Sequence, residues 1–224
     1  MIRIVTSTKK DGSMKYTDGS FHKNIEKFLT QHSIPRSSLV TMSQIHSANI
    51  KLVTKKDIKK RLNNTDGMIT TDKNITLATV TADCLPVVFY DEVNYFLGIV
   101  HAGYKGILKG IIRKAIQKLA ENGANKAKIK VHIGPSIGIC CYSIPEGRLK
   151  AFEKKFGDLS YATRNEGENI YISLSEIAKR VAINEGVNKK NISVVNKCTK
   201  CSAEYFSFRE DRQNTGLNIT VTKL

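Results

Sequence analysis

The sequence predicts an α+β fold, a sandwich in which helices pack on mixed sheets. Short apolar runs follow one another between Leu77 and His101 with no helical pattern between them, which is typical of antiparallel strands. A helical pattern then begins, and its apolar residues recur every three or four positions from Ile107 to Leu119. Because strands and helices do not alternate strictly, the pattern favours an α+β sandwich over a doubly wound parallel sheet.

The individual elements are predicted from periodicity and from the residues that end each pattern. The long helix opens at residues 103–106 and ends at Asn122-Gly123, with lysines on the face opposite to its apolar face. Further helices are predicted at 21–31, 146–156 and 174–185. Strands are predicted at 2–6, 50–54, 77–80, 85–90, 96–100, 129–133, 193–195 and 219–222.

The length and composition indicate one domain, residues 1–224, because 224 residues with 41% apolar content can bury a substantial core. The polar, glycine-containing stretch 158–169 is predicted to be a mobile surface loop between two helices. No apolar run reaches the roughly 20 residues of a membrane span. Residues 1–5 are too short and too soon polar for a signal peptide. We therefore expect a cytoplasmic protein without a membrane partner.

The net charge of +16 raises the question of a nucleic-acid partner, since a basic surface attracts phosphates. The lysines and arginines are spread along the chain, however, and they are not clustered with interleaved aromatic residues as in a groove for single strands. We therefore interpret the charge as a solvated, lysine-rich surface and expect no nucleic-acid partner. The sequence leaves the oligomeric state open.

Five cysteines, an odd number without a secretion signal, favour reduced thiols over a disulfide framework. The Cys198-x-x-Cys201 pair is compatible with half of a zinc site, with a redox pair or with packing near the active site. Because the adjacent Cys140 and Cys141 make a poor second half for a zinc site, packing is the expectation.

Three residues on separate strand-like segments, His46, Cys84 and His101, can form one zinc-binding set. One thiolate and two imidazoles leave a fourth position for water or substrate, which is typical of catalytic zinc. Each residue lies where a predicted strand ends, and functional groups are usually presented there. Taken singly, each also fits a buried thiol or a histidine that satisfies a backbone carbonyl.

Several motifs together resemble the YfiH-like laccase-domain family. They are QIHS at 44–47, TADCLPV at 81–87, HAGYKG at 101–106, GPSIGICCY at 134–142, and CTKC at 198–201 with YFSFR at 205–209. The resemblance runs from about residue 40 to residue 216. It implies a layered α/β/β/α sandwich with mixed sheets, of the group that includes the cytotoxic necrotizing factor catalytic domain. It also implies that His46, Cys84 and His101 are metal ligands.

The family carries the labels polyphenol oxidase, peptidoglycan editing factor and purine nucleoside enzyme. A multicopper oxidase needs four copper ions held mostly by imidazoles, and the five histidines of this chain cannot supply them. The resemblance therefore implies a zinc-dependent purine nucleoside enzyme, with copper as the less favoured metal. Its reactions would be adenosine deamination, or phosphorolysis of adenosine, inosine, guanosine or methylthioadenosine with inorganic phosphate.

The predicted catalytic residues are Asp83, Cys84 and His101. Asp83 is the carboxylate nearest to a ligand in sequence and is predicted to transfer protons, although a turn-forming aspartate fits equally well. Phosphate is expected to bind at Lys105 and at the backbone amides that open the long helix. The alternative is that the glycines of this segment only shape a tight strand-to-helix turn. The resemblance adds Gln44 and Arg209 as substrate-binding residues.

The chain departs from the family at several positions. Tyr104-Lys105 stands where a Trp-Arg pair is usual, which replaces a planar bidentate guanidinium with a point charge. Ser143, Glu210 and Leu217 stand where a glutamate and two arginines are usual, and the stretch between residues 8 and 21 is abbreviated. These departures bear on the substrate range more than on the metal.

Two alternatives to the purine nucleoside enzyme remain. The same fold group includes thiol-dependent deamidases, so Cys84 and His101 can be nucleophile and base of an amidase, for example in editing a peptidoglycan precursor. A zinc-containing binding protein that has lost turnover through the changes at Lys105, Ser143 and Leu217 is the non-catalytic alternative.

Overall fold

The computed structural model describes residues 2–224, so Met1, the first residue of the predicted domain 1–224, lies outside the described residues. The strands in this part are β1 (Arg3–Thr6), β2 (Leu39–Met42), β3 (Ile50–Leu52), β4 (Arg61–Leu62), β5 (Gly67–Thr70), β6 (Thr76–Thr81), β7 (Leu85–Asp91), β8 (Phe96–Ala102), β9 (Lys130–Ile133), β10 (Ser143–Ile144), β11 (Thr163–Glu166), β12 (Asn169–Ile172), β13 (Ile192–Val194) and β14 (Asn218–Lys223). The α-helices are α1 (Phe21–Gln31), α2 (Tyr104–Leu108), α3 (Ile111–Glu121), α4 (Glu146–Phe156), α5 (Leu174–Asn184) and α6 (Phe208–Asp211).

Two mixed sheets face each other. The first has the strand order β1-β14-β6-β2-β4, and the second has the order β13-β9-β7-β8-β5-β3. The core between them includes Leu77 of the first sheet and Val88 of the second. Because side chains alternate along a strand, the neighbours Val87 and Phe89 face the opposite side of the second sheet. The second sheet therefore has two buried faces.

A helical layer covers the outer face of each sheet. Helix α1 places Ile25, Phe28 and Leu29 against the first sheet, because these residues share one face of the helix. Helices α3 and α5 pack on the second sheet. The layers are thus α/β/β/α, and the predicted α+β sandwich with mixed sheets is confirmed. A small third sheet, β10-β12-β11, lies beside them.

The chain crosses from the first sheet to the second three times, through residues 43–49, 63–66 and 82–84. Strands β2, β4 and β6 run parallel in the first sheet, so they end at the same edge. Strands β3, β5 and β7, which begin after the crossings, share one direction in the second sheet because β5 and β7 are both antiparallel to β8. The three crossings therefore lie at one edge of the sandwich, where β8 also ends.

The predicted long helix is wrong as a single element. It is split into α2 and α3 at Gly110, which has a φ of 83° and so occupies the left-handed region that favours glycine. Apolar residues keep recurring every three or four positions across this break, so the sequence pattern did not show that the helix is split.

The predicted loop at 158–169 is wrong as well. Its second half is strand β11, which pairs with β12 to form a hairpin. Strands β2, β4, β5, β10 and β12 were also not among the predicted elements. The helices at 21–31 and 146–156 have the predicted bounds, and the third ends at Asn184, one residue early. No helix within residues 2–224 is both long and apolar enough for a membrane span.

We predict that the core between the sheets dominates stability. Leu77→Ala removes a side chain that is fully buried there and should lower the free energy of unfolding by about 2–5 kcal/mol, the usual cost of a cavity in a packed core. The matched variant Leu52→Ala lies on an edge strand with 44% of the residue exposed and should cost about 0.5 kcal/mol or less. Urea denaturation measures both values, and equal losses would contradict the assignment.

Candidate functional site

The structure brings His46, Cys84 and His101 together at the edge where the sheet crossings lie. Their candidate ligand atoms all lie within 4.8 Å of one another. The Cys84 Sγ atom is 4.0 Å from His46 Nε2, and the two imidazole rings meet edge to face with their centroids 4.7 Å apart. His46 is exposed, Cys84 is partly exposed and His101 is buried. The three groups can therefore face a common ligand.

The carboxylate of Asp66, which the sequence analysis missed, holds this group in place. Asp66 is fully buried and lies on the crossing between β4 and β5. Its Oδ1 atom is 2.9 Å from His101 Nδ1. The segment 63–67 reads as a turn because of its two asparagines and its Asp-Gly pair. The one available signal was an aspartate directly before a short apolar run.

Asp66 also fixes the loop that carries His46. Its oxygens accept hydrogen bonds from the backbone N–H groups of Ile45, His46 and Ser47, at 3.2, 3.0 and 2.7 Å, and from the Ser47 hydroxyl at 2.6 Å. These donors turn towards one point because His46 has a φ of 56°, in the left-handed region. Asp66 therefore fixes His46 and His101 through one carboxylate.

The residues fit a zinc ion by their chemistry. Because His101 uses Nδ1 to donate to Asp66, its Nε2 atom remains as the lone-pair donor. A ligating histidine usually donates its other ring N–H to a carboxylate or carbonyl in this way. Two imidazoles and one thiolate are typical zinc ligands, and a set of three leaves a fourth position open.

Gly103 provides the space for these side chains. An added Cβ atom would lie 2.8 Å from Cys84 Sγ and 3.1 Å from His46 Cδ2. Gly103 has a φ of −77°, which other residues adopt freely. The absence of a side chain is therefore required by close approach and not by the backbone conformation.

The charges of the site favour a thiolate at Cys84. Burial raises the pKa of this thiol, but the opposing effect of His101 and His46 is larger and lowers the pKa to about 6. Burial lowers the pKa of His101, and Cys84 and Asp66 together outweigh it and raise the pKa to about 9. Burial opposes ionisation of Asp66 too, yet its hydrogen bonds hold the pKa of this carboxyl well below its usual range. A thiolate is the form that binds zinc or acts as a nucleophile.

Asp83 lies beside Cys84 in the crossing between β6 and β7. Its Oδ1 atom accepts from the Thr199 hydroxyl at 2.7 Å, and its Oδ2 atom accepts from the backbone N–H of Arg209 at 2.6 Å. With a φ of 85°, Asp83 also forms the sharp turn between the sheets. These contacts hold the Cys84 turn against two distant segments. The predicted proton transfer by Asp83 stays a prediction.

The predicted substrate-binding residues Gln44 and Arg209 both line a cavity at the site. The side-chain amide of Gln44 pairs with the backbone N–H and C=O of Val80, at 3.0 and 2.8 Å. The Arg209 guanidinium donates to the Cys141 carbonyl and to Ser143, at 3.2 to 3.3 Å. Both side chains therefore shape the cavity wall, and their contacts with substrate stay predictions.

Lys105 is not brought to the cavity. It is exposed on α2, with its Nζ atom 5.9 Å from the centroid of the Tyr104 ring. Arg148 of α4, which the sequence analysis missed, lines the cavity instead, and its guanidinium carbon lies 4.1 Å from the same ring centroid. A planar guanidinium therefore stands beside Tyr104, although it comes from another element. No motif pointed to it.

The cavity has a volume of about 910 Å³, and the three ligands lie on its wall. Its lining combines aromatic and cationic side chains with apolar ones. The aromatic and cationic members are Tyr16, Tyr104, Tyr142, Phe208, Lys15, Arg61, Arg148, Arg209 and Arg212. The abbreviated stretch between residues 8 and 21 thus still reaches the cavity. Arg61 stacks on Tyr16 there at 3.8 Å from the ring centroid.

The other four cysteines form a second group. The Sγ atoms of Cys140, Cys141, Cys198 and Cys201 also lie within 4.8 Å of one another, and we call them the four-cysteine cluster. The structure therefore brings Cys140 and Cys141 to the Cys198-x-x-Cys201 pair, against the expectation that they make a poor second half for a metal site. The turn at residues 139–141 directs both thiols towards Cys201.

Comparison with known proteins gives consistent matches. Residues 13–224 match the sequence model of the family described as multi-copper polyphenol oxidoreductase laccase. The chain is 31% identical over 209 residues to the purine nucleoside phosphorylase YlmD of Bacillus subtilis, covering 89% of this chain and 75% of that protein. It is 34% identical over 178 residues to a purine nucleoside phosphorylase of Clostridium acetobutylicum, covering 78% and 72%. The crystal structure of Bacillus licheniformis YfiH superposes with a TM-score of 0.93 at 27% identity, covering 100% and 92%.

We predict that Asp66 sets the metal affinity. Asp66→Asn should lower zinc affinity about 10- to 100-fold, because an amide accepts through only one atom and orients both histidines less well. Isothermal titration with zinc measures the effect. The matched variant Asp57→Asn alters a carboxylate that likewise accepts a backbone N–H, at Thr54, but lies outside the site, and it should bind zinc as the wild type does. Equal affinity in both variants would contradict the role of Asp66.

Gly103→Ala should also weaken zinc binding, because the new methyl group would displace the Cys84 thiol or the His46 ring. Gly147→Ala is the matched control, since a Cβ at this position in α4 meets nothing within 4 Å. Zinc titration and thermal unfolding should show lost affinity with little loss of fold in Gly103→Ala and neither loss in Gly147→Ala. Full zinc affinity in Gly103→Ala would refute the steric argument.

Proposed function

The chain belongs to the family described as multi-copper polyphenol oxidoreductase laccase, and on that premise we propose that it is a zinc-dependent purine nucleoside enzyme. The reaction that we favour is phosphorolysis of a purine nucleoside with inorganic phosphate. The observation that carries the proposal is a three-ligand group, His46, Cys84 and His101, on the wall of a cavity that also holds aromatic and cationic side chains. The names of the two relatives described above support it.

The cavity suits both parts of such a substrate. A purine is a flat aromatic ring system, and the tyrosines of the lining, Tyr104 and Tyr142 among them, offer ring faces and hydroxyl groups to it. Ligand sites usually combine such apolar walls with a few placed polar groups. The volume of about 910 Å³ lies within the range of pockets that enclose small molecules.

Phosphate requires positive charge, and Arg148 is the cation that we propose for it. Its guanidinium carbon lies 4.1 Å from the centroid of the Tyr104 ring, and a guanidinium carries a fork of N–H donors that matches an oxyanion. Arg209 is the neighbouring cation, but its guanidinium already donates to Cys141 and Ser143. Lys105 stays the sequence-based alternative, and the two assignments can be separated by variants.

In phosphorolysis, a phosphate oxygen forms a bond to the sugar C1′ while the bond from C1′ to the purine nitrogen breaks. The electron pair leaves with the purine, which must gain a proton. The cations of the cavity hold the anion in position, and the aromatic residues hold the base. Asp83 is the predicted proton carrier. When bound, zinc would supply a Lewis acid that polarises an oxygen or lowers the pKa of water.

Adenosine deamination is the second reaction of the proposed enzyme. Water adds at C6 and ammonia leaves, so phosphate is not consumed. His46, Cys84 and His101 would hold the zinc for either reaction. A multicopper site is not supported, because His22, His32 and His132 do not join the two histidines of the site among residues 2–224.

A thiol-dependent amidase is the alternative that one observation favours. Cys84 has a lowered pKa of about 6 beside His101, which is the pairing of an activated nucleophile with a base. A lowered pKa of Cys84 suits a zinc ligand equally well, since zinc also binds the thiolate. The reactivity of Cys84 therefore separates the two functions.

The direct test is chromatography of products after incubation of the zinc-loaded protein with adenosine, with and without phosphate. We expect adenine that depends on phosphate, and inosine if the protein also deaminates. His101→Ala should abolish both products. His132→Ala, a histidine of the second sheet that does not line the cavity, is the matched control and should retain them. No product from zinc-loaded wild type with any of the four predicted nucleosides would refute the proposal.

Arg148→Ala should raise KM for phosphate about 10- to 100-fold, the loss expected from a charge-assisted hydrogen bond, while Lys105→Ala should change it little. Arg148→Lys should restore part of the loss. Arg180→Ala removes a similar arginine stack, on Tyr161 at 4.4 Å, away from the cavity, and controls for the loss of stacking alone. A larger effect of Lys105→Ala would favour the assignment made from the sequence.

Cys84 should react slowly with iodoacetamide at neutral pH when zinc is bound and rapidly after chelation, because a bound thiolate is a poor nucleophile. Peptide mass spectrometry over time measures the rate. Fast alkylation that zinc does not slow, together with hydrolysis of amide substrates, would favour the amidase.

A further inference from the structure

The four-cysteine cluster lies outside the proposed nucleoside site and is not used by the proposed function. The Sγ atoms of Cys141 and Cys201 are 3.1 Å apart, and those of Cys140 and Cys201 are 3.5 Å apart. The two halves come from the turn before β10 and the segment after β13, about 60 residues apart in the chain. The fold therefore brings four of the five cysteines of the chain together from two distant segments.

We propose that the four-cysteine cluster is a structural zinc site, in which four thiolates hold one Zn²⁺ ion. Zinc–sulfur bonds of about 2.3 Å in a tetrahedron place the sulfur atoms about 3.8 Å apart. The separations of 3.1 and 3.5 Å, and the limit of 4.8 Å for all pairs, bracket this value. Four protein ligands leave no open position, which is the arrangement of structural zinc.

The backbone holds the two halves of the cluster together. Ser136 and Cys198 form a parallel bridge, and the Thr199 N–H donates to the Ser136 carbonyl at 3.0 Å. The Gly138 N–H donates to the Cys198 Sγ atom at 3.2 Å. Backbone N–H groups that donate to sulfur stabilise a thiolate, and they fix the direction of its remaining lone pairs. The ligands are therefore arranged by the fold.

Gly138 leaves room for the cluster. A Cβ atom there would lie 3.2 Å from the Cys140 Sγ atom and 3.2 Å from the Cys198 Cβ atom. Gly138 thus leaves space for the ligands of this cluster, as Gly103 does for those of the first site. Both glycines stand where a side chain would press on candidate ligand atoms.

Zinc binds the thiolate form of cysteine. The four thiols would therefore release their protons as the ion binds, so zinc binding at the cluster should be coupled to proton release.

A redox disulfide explains the group less well. Cys140 and Cys141 both lie close to Cys201, at 3.5 and 3.1 Å, and Cys201 can form a disulfide of about 2.05 Å with only one of them. A tetrahedral ion uses all four. Zinc is the metal of choice because sets of four thiolates select zinc or iron, and only zinc serves without a redox role.

The proposed ion would also steady the first site. Thr199 lies between two ligands, Cys198 and Cys201, and its hydroxyl donates to Asp83 at 2.7 Å. Asp83 precedes Cys84 in the turn between the sheets. Fixing the segment 198–201 therefore fixes one of the two partners that hold the Cys84 turn in place.

The test is zinc per chain, measured by elemental mass spectrometry on the purified full-length protein. His101→Ala should retain one zinc ion per chain, because the cluster does not depend on the first site. Cys201→Ser should lose one ion relative to the wild type, and the neighbouring Ser202→Ala should lose none. Because zinc is counted in His101→Ala, the result does not depend on whether the protein acts on nucleosides.

Protection of the thiols gives a second measurement that needs no variant. In native wild type, zinc should protect Cys140, Cys141, Cys198 and Cys201 from alkylation together, and a chelator should expose them together. The proposal would be overturned if His101→Ala contained no zinc, or if Cys201→Ser contained as much zinc per chain as the wild type. Iron in place of zinc would also overturn it, as would a disulfide within the cluster that persists in zinc-containing buffer.

Discussion

The buried carboxylate of Asp66 is the constraint on which the site depends. It accepts five hydrogen bonds, four from the loop of His46 and one from His101. A buried charge without partners costs several kcal/mol. Moving either His101 or the His46 loop away from Asp66 would therefore be unfavourable. Asp66 thereby arranges two imidazoles, one from the crossing after β2 and one from strand β8, before any metal binds. Such support from behind the ligands tunes metal sites generally.

Several strands and helices could be predicted from the sequence because each depends on the pattern of apolar and polar residues within one segment. The strands at 77–80, 85–90 and 96–100 appear within two residues of their predicted bounds, and α1 has the predicted ones. The three sheet crossings were not readable, since they depend on which distant strands pair. For the same reason the sequence suggested His46, Cys84 and His101 as a set but did not single out Asp66, whose role appears only when His101, 35 residues away, lies against it.

The cavity contains a guanidinium beside Tyr104 that the sequence motif lacks. Lys105 replaces the arginine expected beside an aromatic residue, and a lysine cannot reproduce a planar, bidentate donor. Arg148 of α4, which lies 43 residues after Lys105 in the chain, places its guanidinium over the Tyr104 ring. A sequence motif compares residues position by position. It therefore shows that Lys105 stands in place of an arginine, but it does not show that Arg148 lies beside Tyr104.

Asp83 connects the two cysteine-containing sites. One carboxylate oxygen accepts from Thr199, inside the Cys198-x-x-Cys201 segment, and the other accepts from the Arg209 backbone. Arg209 in turn donates to the Cys141 carbonyl and to Ser143 on the cavity wall. The turn that presents Cys84 is thus tied to both halves of the four-cysteine cluster. Because Cys84 follows Asp83 in this short turn, its position depends on the segments that hold Asp83, and a zinc ion in the proposed closed site would make the segment 198–201 more rigid.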